Sequence, residues 1–302
     1  MARIATVFTG MGLQGSSVVR ALLKDGTFVP RAVTRSPDSE SAKELAALGA
    51  EIVQGDFRDF SSIRKAIVGA EVVFAVSYPN VPGADEFEQG KFIVDTCKEE
   101  GVRFVVWSST TGVSGPSGGK YEAYALDNKS AVDDYLRASG LPHTILLNGG
   151  FLENWTRPRF PDHPRVSDDR SEVTIPSRWV KGTIAVLSWT EHDLGQSGAA
   201  VLRAYADGKV DEVNGKTFLV ACARLPIEEY FKKVEAGLGK KVTVEWITHL
   251  GQPMRDAMYD MAYEFEWYKG MPVPDPGLIA LGVKFGTVEE FVETVMKPHL
   301  GL

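Results

Sequence analysis

Residues 8–15 read FTGMGLQG. A short apolar run, IATVF (4–8), leads into them, and GLQGSSVVRALLKDG follows. In that second stretch Leu13, Val18, Val19, Leu22 and Leu23 recur close to helical spacing, with Gly26 as a stop. Gly10, Gly12 and Gly15 therefore form G-x-G-x-x-G between a strand and a helix, which is the context that gives this otherwise weak pattern meaning. Gly10 is expected to allow the tight turn, Gly12 to let backbone approach a pyrophosphate, and Gly15 to let the helix pack on the strand. A glycine turn with no ligand is the competing reading, and the surrounding βαβ pattern favours the dinucleotide site.

Outward from this stretch the chain alternates. Strand-like VPRAVT (29–34), AEIVQG (50–55), EVVFAVS (71–77), RFVVWSST (103–110) and HTILLNGG (143–150) are separated by helical SESAKELAALG, SSIRKAIVG, residues 86–100 and SAVDDYLRASG. With the first strand this makes six near-continuous apolar strands joined by helices. Such a series predicts an α/β fold, a doubly wound parallel (Rossmann) sheet covered on both faces. After residue 154 the alternation loosens. RPRFPDHPRVSDDRS predicts an excursion over the surface. KTFLVA and KVTVEWI read as strands, and IEEYFKKVEAGLG, MRDAMYDMAYEFEWYKG and TVEEFVETVM as helices. The expected division is a dinucleotide-binding domain over 1–154. Residues 155–302 would mainly form a smaller α+β lobe for substrate or partner, with some segments returning to the core.

Bulk properties narrow the function. The 302 residues are 44% hydrophobic and 24% charged, with a formal net charge of -7, which argues against nucleic acid or an anionic membrane as partner. Cys97 and Cys222 are too few for a disulfide framework, and the N-terminus lacks signal-peptide character, so a cytosolic or nuclear compartment is expected. His143, His163, His192, His249 and His299 show no metal-ligand spacing, so no metal is expected.

The cofactor's identity is read at the end of the second strand. An NAD-selective site places Asp or Glu there. Here AVTRSPDS puts Thr34 and Arg35 at that position, while Asp38 and Glu40 come too late. A guanidinium suits a 2′-phosphate, so Arg35 predicts NADP(H). Lys43 is a candidate second cation.

FTGMGLQGSSVVRALL, AVTRSP, AEIVQGDFRD, EQGKFIVDTCKEEGVRFVVWSS, DNKSAVDDYL and TILLNGGFLENW occur in that order. Together with the terminal GVKFGTVEEFV, they resemble the NmrA-like proteins across nearly the whole chain. These are atypical members of the short-chain dehydrogenase superfamily, related to isoflavone reductase-like enzymes. The resemblance implies a cofactor loop of Thr9, Gly10, Met11, Gly12, Leu13, Gln14 and Gly15, with Thr9 standing where the family usually has its first glycine. It implies that Arg35 selects NADP(H) and that Asp56 and Phe57 flank the adenine. Val76 and Ser77 would border the cofactor, as would Gly150, Phe151 and Glu153 in a stretch that, with Asn154, largely keeps the family pattern. Lys91 also matches a frequent family position.

Catalysis is less regular. A standard short-chain dehydrogenase carries Tyr-x-x-x-Lys and a serine on the preceding strand. Lys129 matches the lysine, but four residues earlier stands Ala125. On an ideal helix Tyr124 would point about 140° from Lys129, and Tyr121 about 80° if the helix reached back that far. The candidates are Lys129, as ribose ligand or proton carrier, Ser109 at the strand end beside Ser108 and Thr110, and Tyr121. Where the family has Arg-Pro and then an aromatic, this chain has Leu147, Asn148 and Gly150, which predicts a roomier, more polar pocket. Two functions follow: an NADP(H)-dependent reductase of a small carbonyl, enone or imine, or a non-catalytic NADP(H)-sensing regulator that binds a protein partner.

Overall fold

The computed structural model describes residues 2–302 except Asn80, Arg159 and Pro161. Its centre is a parallel sheet of seven strands. Six are β1 (Ile4–Val7), β2 (Val29–Thr34), β3 (Glu51–Gln54), β4 (Val72–Ala75), β5 (Phe104–Ser109) and β6 (His143–Asn148). They lie in the order 3-2-1-4-5-6, and a seventh strand, Lys216–Val220, adds outside β6. Ala5 of β1 pairs with Pro30 on one side and Val72 on the other, so the order reverses between β1 and β4. Ligands of open α/β sheets bind at the carboxyl ends of the strands beside such a switch.

The strands are apolar throughout because both faces are covered. Val7, Phe74, Val106 and Leu146 face α1 (Leu13–Asp25) and α2 (Glu40–Ala47); Val73, Ala75, Val105, Trp107 and Ile145 face α3 (Phe60–Ile67), α4 (Glu86–Glu99) and α5 (Tyr124–Ser139). A sixth helix, α6 (Gly195–Ala206), packs on α1 and was not expected from sequence. Its small residues explain both facts. A Cβ on Gly195 would come within 2.5 Å of the Ser17 carbonyl oxygen, so close packing needs glycine there, and such residues give little amphipathic signal.

Beyond β6 the chain forms two three-stranded sheets. One joins Gly150–Phe151, Ile184–Ser188 and Ala223–Pro226; the other joins Arg165–Val166, Glu172–Ser177 and Lys241–Trp246. The helices Ile227–Leu238 and Pro253–Phe265 complete this part. The proline-rich excursion is not wholly superficial: Asp162 within it is only 3% exposed. Among the described residues no helix is long and apolar enough to cross a membrane, and no group of three His, Cys, Asp or Glu could hold a metal ion.

Candidate functional site

The glycine loop is shaped by steric limits that differ in part from those expected. The left-handed residue of the turn is Thr9, at φ 51°, and not Gly10. This is the position where the family usually has glycine, and a side chain there costs about 1–2 kcal/mol. Gly10 is required for another reason: a Cβ on it would lie 2.7 Å from that of Ala32 on β2. A Cβ on Gly15 would overlap the carbonyl oxygens of Phe8 and Thr9, which holds α1 hard against the end of β1. Gly15→Ala is therefore expected to cost about 1–3 kcal/mol of stability in urea unfolding and to weaken nucleotide binding with it.

Gly12 caps α1 with no side-chain hydrogen bond, and the first turn holds no acidic residue. The helix's leading N–H groups and positive dipole end are thus open to an anion. They face a cleft of about 340 Å³ whose lining includes Thr9, Met11, Gly12, Thr34, Arg35, Asp56 and Phe57. Arg35 stands exposed at its rim and forms no ion pair among the described residues. Lys43 is held by Glu40 at 2.7 Å. Asp56 is paired with Arg58, whose hydrogen bonds keep the carboxyl below its usual range. Phe57 stacks on Phe8 with ring centroids 5.9 Å apart. Tyr78 and Val81 also line the cleft, although nothing in their spacing marks them.

Other expected residues have structural partners. Gln14 accepts from the Ser108 hydroxyl at 2.5 Å, and the Asn148 amide donates to that hydroxyl at 3.0 Å, so these three tie the loop to β5 and β6. Glu153 is buried and accepts from the Glu191 backbone N–H at 2.7 Å. Ser77 at the end of β4 donates to Glu86 at 2.9 Å.

That glutamate leads to the lysine. Lys129 and Glu86 form a buried ion pair between α5 and α4, with side chains 12% and 3% exposed. Gly90, one turn beyond Glu86, makes the approach possible: a Cβ there would lie 2.5 Å from Val132, one turn beyond Lys129. Burial lowers the Lys129 pKa, and Glu86 opposes this only in part. The second Glu86 carboxylate oxygen has no partner among the described residues.

Of the hydroxyls, Tyr121 lies before α5 begins, and it donates to Glu264 at 2.7 Å on the surface. The structure therefore does not bring it to Lys129. Tyr124 is 53% exposed, and Ala125 is buried. Ser109 faces α5 on the side of Asp133, while its hydroxyl donates to the Thr110 carbonyl at 3.4 Å; one Asp133 carboxylate oxygen has no partner among the described residues, and burial raises that carboxyl's pKa to about 7. Tyr268, reached from the far end of the chain, donates to the Asn148 carbonyl at 2.6 Å and lies 3.0 Å from the Thr110 hydroxyl. Burial pushes its pKa up to about 12. Sequence reasoning missed Glu86 and Asp133, because neither stands at a recognised spacing from another site residue. Asn148 is buried and bonded, while Gly150 opens onto a separate aromatic-lined cavity.

Comparison with known proteins agrees with this architecture. The NmrA-like family domain-containing oxidoreductase cpsB of Aspergillus campestris is 33% identical over 217 residues, covering 67% of this chain and 64% of that protein. The oxidoreductase notA of Aspergillus sp. (strain MF297-2) is 39% identical over 209 residues, covering 64% of this chain and 62% of that protein. The aligned region thus spans less than two thirds of either relative. Among solved structures, the negative transcriptional regulator NmrA in complex with NADP superposes with a TM-score of 0.78 at 20% identity, over 100% of this chain and 99% of that one. Citrobacter sp. triphenylmethane reductase complexed with NADP(H) gives 0.71 at 19% identity, over 96% and 99%. At these identities the likeness is one of fold. Residues 1–292 match the NmrA-like family, and the chain belongs to it.

Proposed function

We propose that this protein is an NADP(H)-dependent reductase of a small carbonyl, enone or imine compound. The observation that carries the reading is Lys129, a buried lysine of lowered pKa at the carboxyl edge of the sheet, on the far side of the β1–β4 switch from the Arg35 cleft. The residues present fit the cofactor: an uncapped helix start free of acidic side chains, glycines that cannot carry a Cβ, and an arginine with no ion-pair partner among the described residues. Gly12 and the first turn of α1 would hold the pyrophosphate and Arg35 the 2′-phosphate, and the nicotinamide supplies hydride chemistry when bound. Lys129 would orient the ribose and, with its pKa lowered, exchange a proton through the hydroxyls at the end of β5. NADP-bound relatives of the same fold support the cofactor assignment.

The test follows NADPH oxidation over a panel of ketones, enones, quinones and imines, with Lys129→Met in parallel. Turnover that is lost in the variant is the expected result. Turnover retained in the variant would remove Lys129 from the mechanism. Arg35→Ala should weaken NADPH binding by about 10- to 150-fold, the loss of one charge-assisted contact, and leave NADH affinity unchanged. Equal losses for both cofactors would refute the 2′-phosphate role.

The second reading, an NADP(H)-sensing regulator of a protein partner, is favoured by Ala125 at the position of the usual tyrosine and by Tyr121 engaged at the surface with Glu264. NADPH binding with no turnover, together with cofactor-dependent capture of a partner, would select it.

A further inference from the structure

Just beyond β6, Gly150 and Phe151 open onto a cavity of about 70 Å³, roofed by the helix Pro253–Phe265 and distinct from the Arg35 cleft. Its walls are mostly rings. Trp155, Trp179 and Trp267 are 2%, 7% and 8% exposed, and Trp179 meets Tyr259 edge-on at 5.2 Å. One side chain in the lining is acidic, and it is Asp162.

Asp162 is 3% exposed. One of its carboxylate oxygens accepts from the Tyr259 hydroxyl at 3.0 Å; the other has no partner among the described residues. A buried carboxylate left half-satisfied is costly, and natural proteins keep such groups where something completes them. Among the described residues, the neighbouring cations do not complete it. Arg178 directs its guanidinium to Asp256 and Asp260, each at 2.7 Å, and Arg255 lies over the Phe160 ring at 4.6 Å. Among the described residues, three carboxylates thus stand near two guanidiniums, and Asp162 is the one without an ion pair.

We propose that this cavity receives a protonated or quaternary nitrogen of a basic substrate, with Asp162 as counter-charge and the Trp155, Trp179, Tyr259 and Trp267 rings as cation-binding faces. Aromatic faces attract a desolvated cation by about 0.5–2 kcal/mol each, which favours an alkylated ammonium over a strongly hydrated inorganic ion. At about 70 Å³ the cavity is small, so the nitrogen end would enter it while the rest of the molecule extends toward the strand ends. That direction is set by the chain: Trp267 adjoins Tyr268, whose hydroxyl sits on the Asn148 carbonyl beside Thr110. Burial holds the Asp162 carboxyl above its usual pKa against the Tyr259 hydroxyl and the charge of Arg255, and a bound cation would reverse that penalty. The inference rests on the reductase reading for its substrate sense, and it narrows the substrate to an iminium ion, or to a carbonyl or enone compound that also carries a basic or quaternary nitrogen.

Binding, not turnover, tests it. Choline and its neutral carbon isostere 3,3-dimethylbutan-1-ol are titrated into the full chain with NADP⁺ present, following tryptophan fluorescence, and NADPH affinity is measured on the same sample. Choline is expected to bind at least about tenfold more tightly than the alcohol. Asp162→Asn should bring the two within about twofold of each other. Equal affinities in the unmodified protein, absence of saturable choline binding, or a preference that survives Asp162→Asn would each overturn the proposal. The first comparison needs no variant, so a folding defect cannot rescue the idea. Loss of NADPH binding would instead refute the cofactor reading and leave the cage result standing.

Discussion

Glu86→Gln should destabilise the protein by about 3–5 kcal/mol near neutral pH, among the largest effects of any single conservative change here. The glutamine keeps the volume and removes the charge, which leaves the Lys129 ammonium in a site where its side chain is 12% exposed. The sign of the pH dependence follows from linkage. Burial already lowers the Lys129 pKa, and without Glu86 it falls further. The folded variant then binds fewer protons than its unfolded chain below the ordinary lysine range. Its stability must therefore rise with pH, as the buried amine sheds its proton in both states. Replacing both partners, Glu86→Leu with Lys129→Met, removes the stranded charge and should recover most of the loss, since buried ion pairs are commonly no better than apolar groups of similar size. Urea unfolding of the parent, Glu86→Leu, Lys129→Met and the double variant at two pH values gives the coupling directly. A Glu86→Gln variant as stable as the parent near neutral pH would show that the pair is solvated rather than buried. The double variant also separates folding from chemistry: stable but inactive is the expected outcome if Lys129 carries the proton.

How much of this could be read from the chain depends on the distance over which each cause acts. The βα alternation was legible because a strand buried on both faces must be apolar along its length, as β1, β4, β5 and β6 are. Gly15 and Arg35 were legible because their neighbours in sequence are their neighbours in space. Thr9 was only half legible: its departure from the family glycine was visible, but that it, and not Gly10, takes the left-handed backbone needs the loop's actual path. Helix α6 was hidden, since a helix selected for closeness is built of Gly, Ser and Ala and carries a weak periodic signal. Glu86 looked like an ordinary acidic residue in a helix's first turn, where the dipole favours it anyway. Only the contact of Gly90 with Val132 brings it to Lys129. Asp162 arrives from a part of the chain with no local motif, so its role emerges only from packing.

Asp133→Asn should act in the opposite direction and make the protein more stable. The Asp133 side chain lies on α5 beneath Ser109, 5% exposed, and burial raises its pKa from 3.8 to about 7. In the folded protein it stays protonated at pH 5, where the unfolded chain has already ionised it. The wild-type protein therefore holds this contribution fully below about pH 4 and loses it as pH rises through 7, by up to about 4 kcal/mol for a shift of this size. Asparagine has no charge to desolvate. The variant should match the parent near pH 4 and exceed it at pH 8, and the difference between the two denaturation curves cancels every other titrating group. A difference that does not change with pH would mean that Asp133 is ionised at its ordinary pKa and that Ser109 and Arg137 hold it more firmly than burial opposes it. The predicted gain also explains why a costly acid would be kept. A carboxyl titrating near neutrality beside Ser109 can take up or release a proton at the strand end where the substrate oxygen or nitrogen would lie. In the reductase reading the stabilised variant should lose turnover as it gains stability, the exchange expected where a site is kept strained for its chemistry. A regulator with no proton to move would show the gain alone.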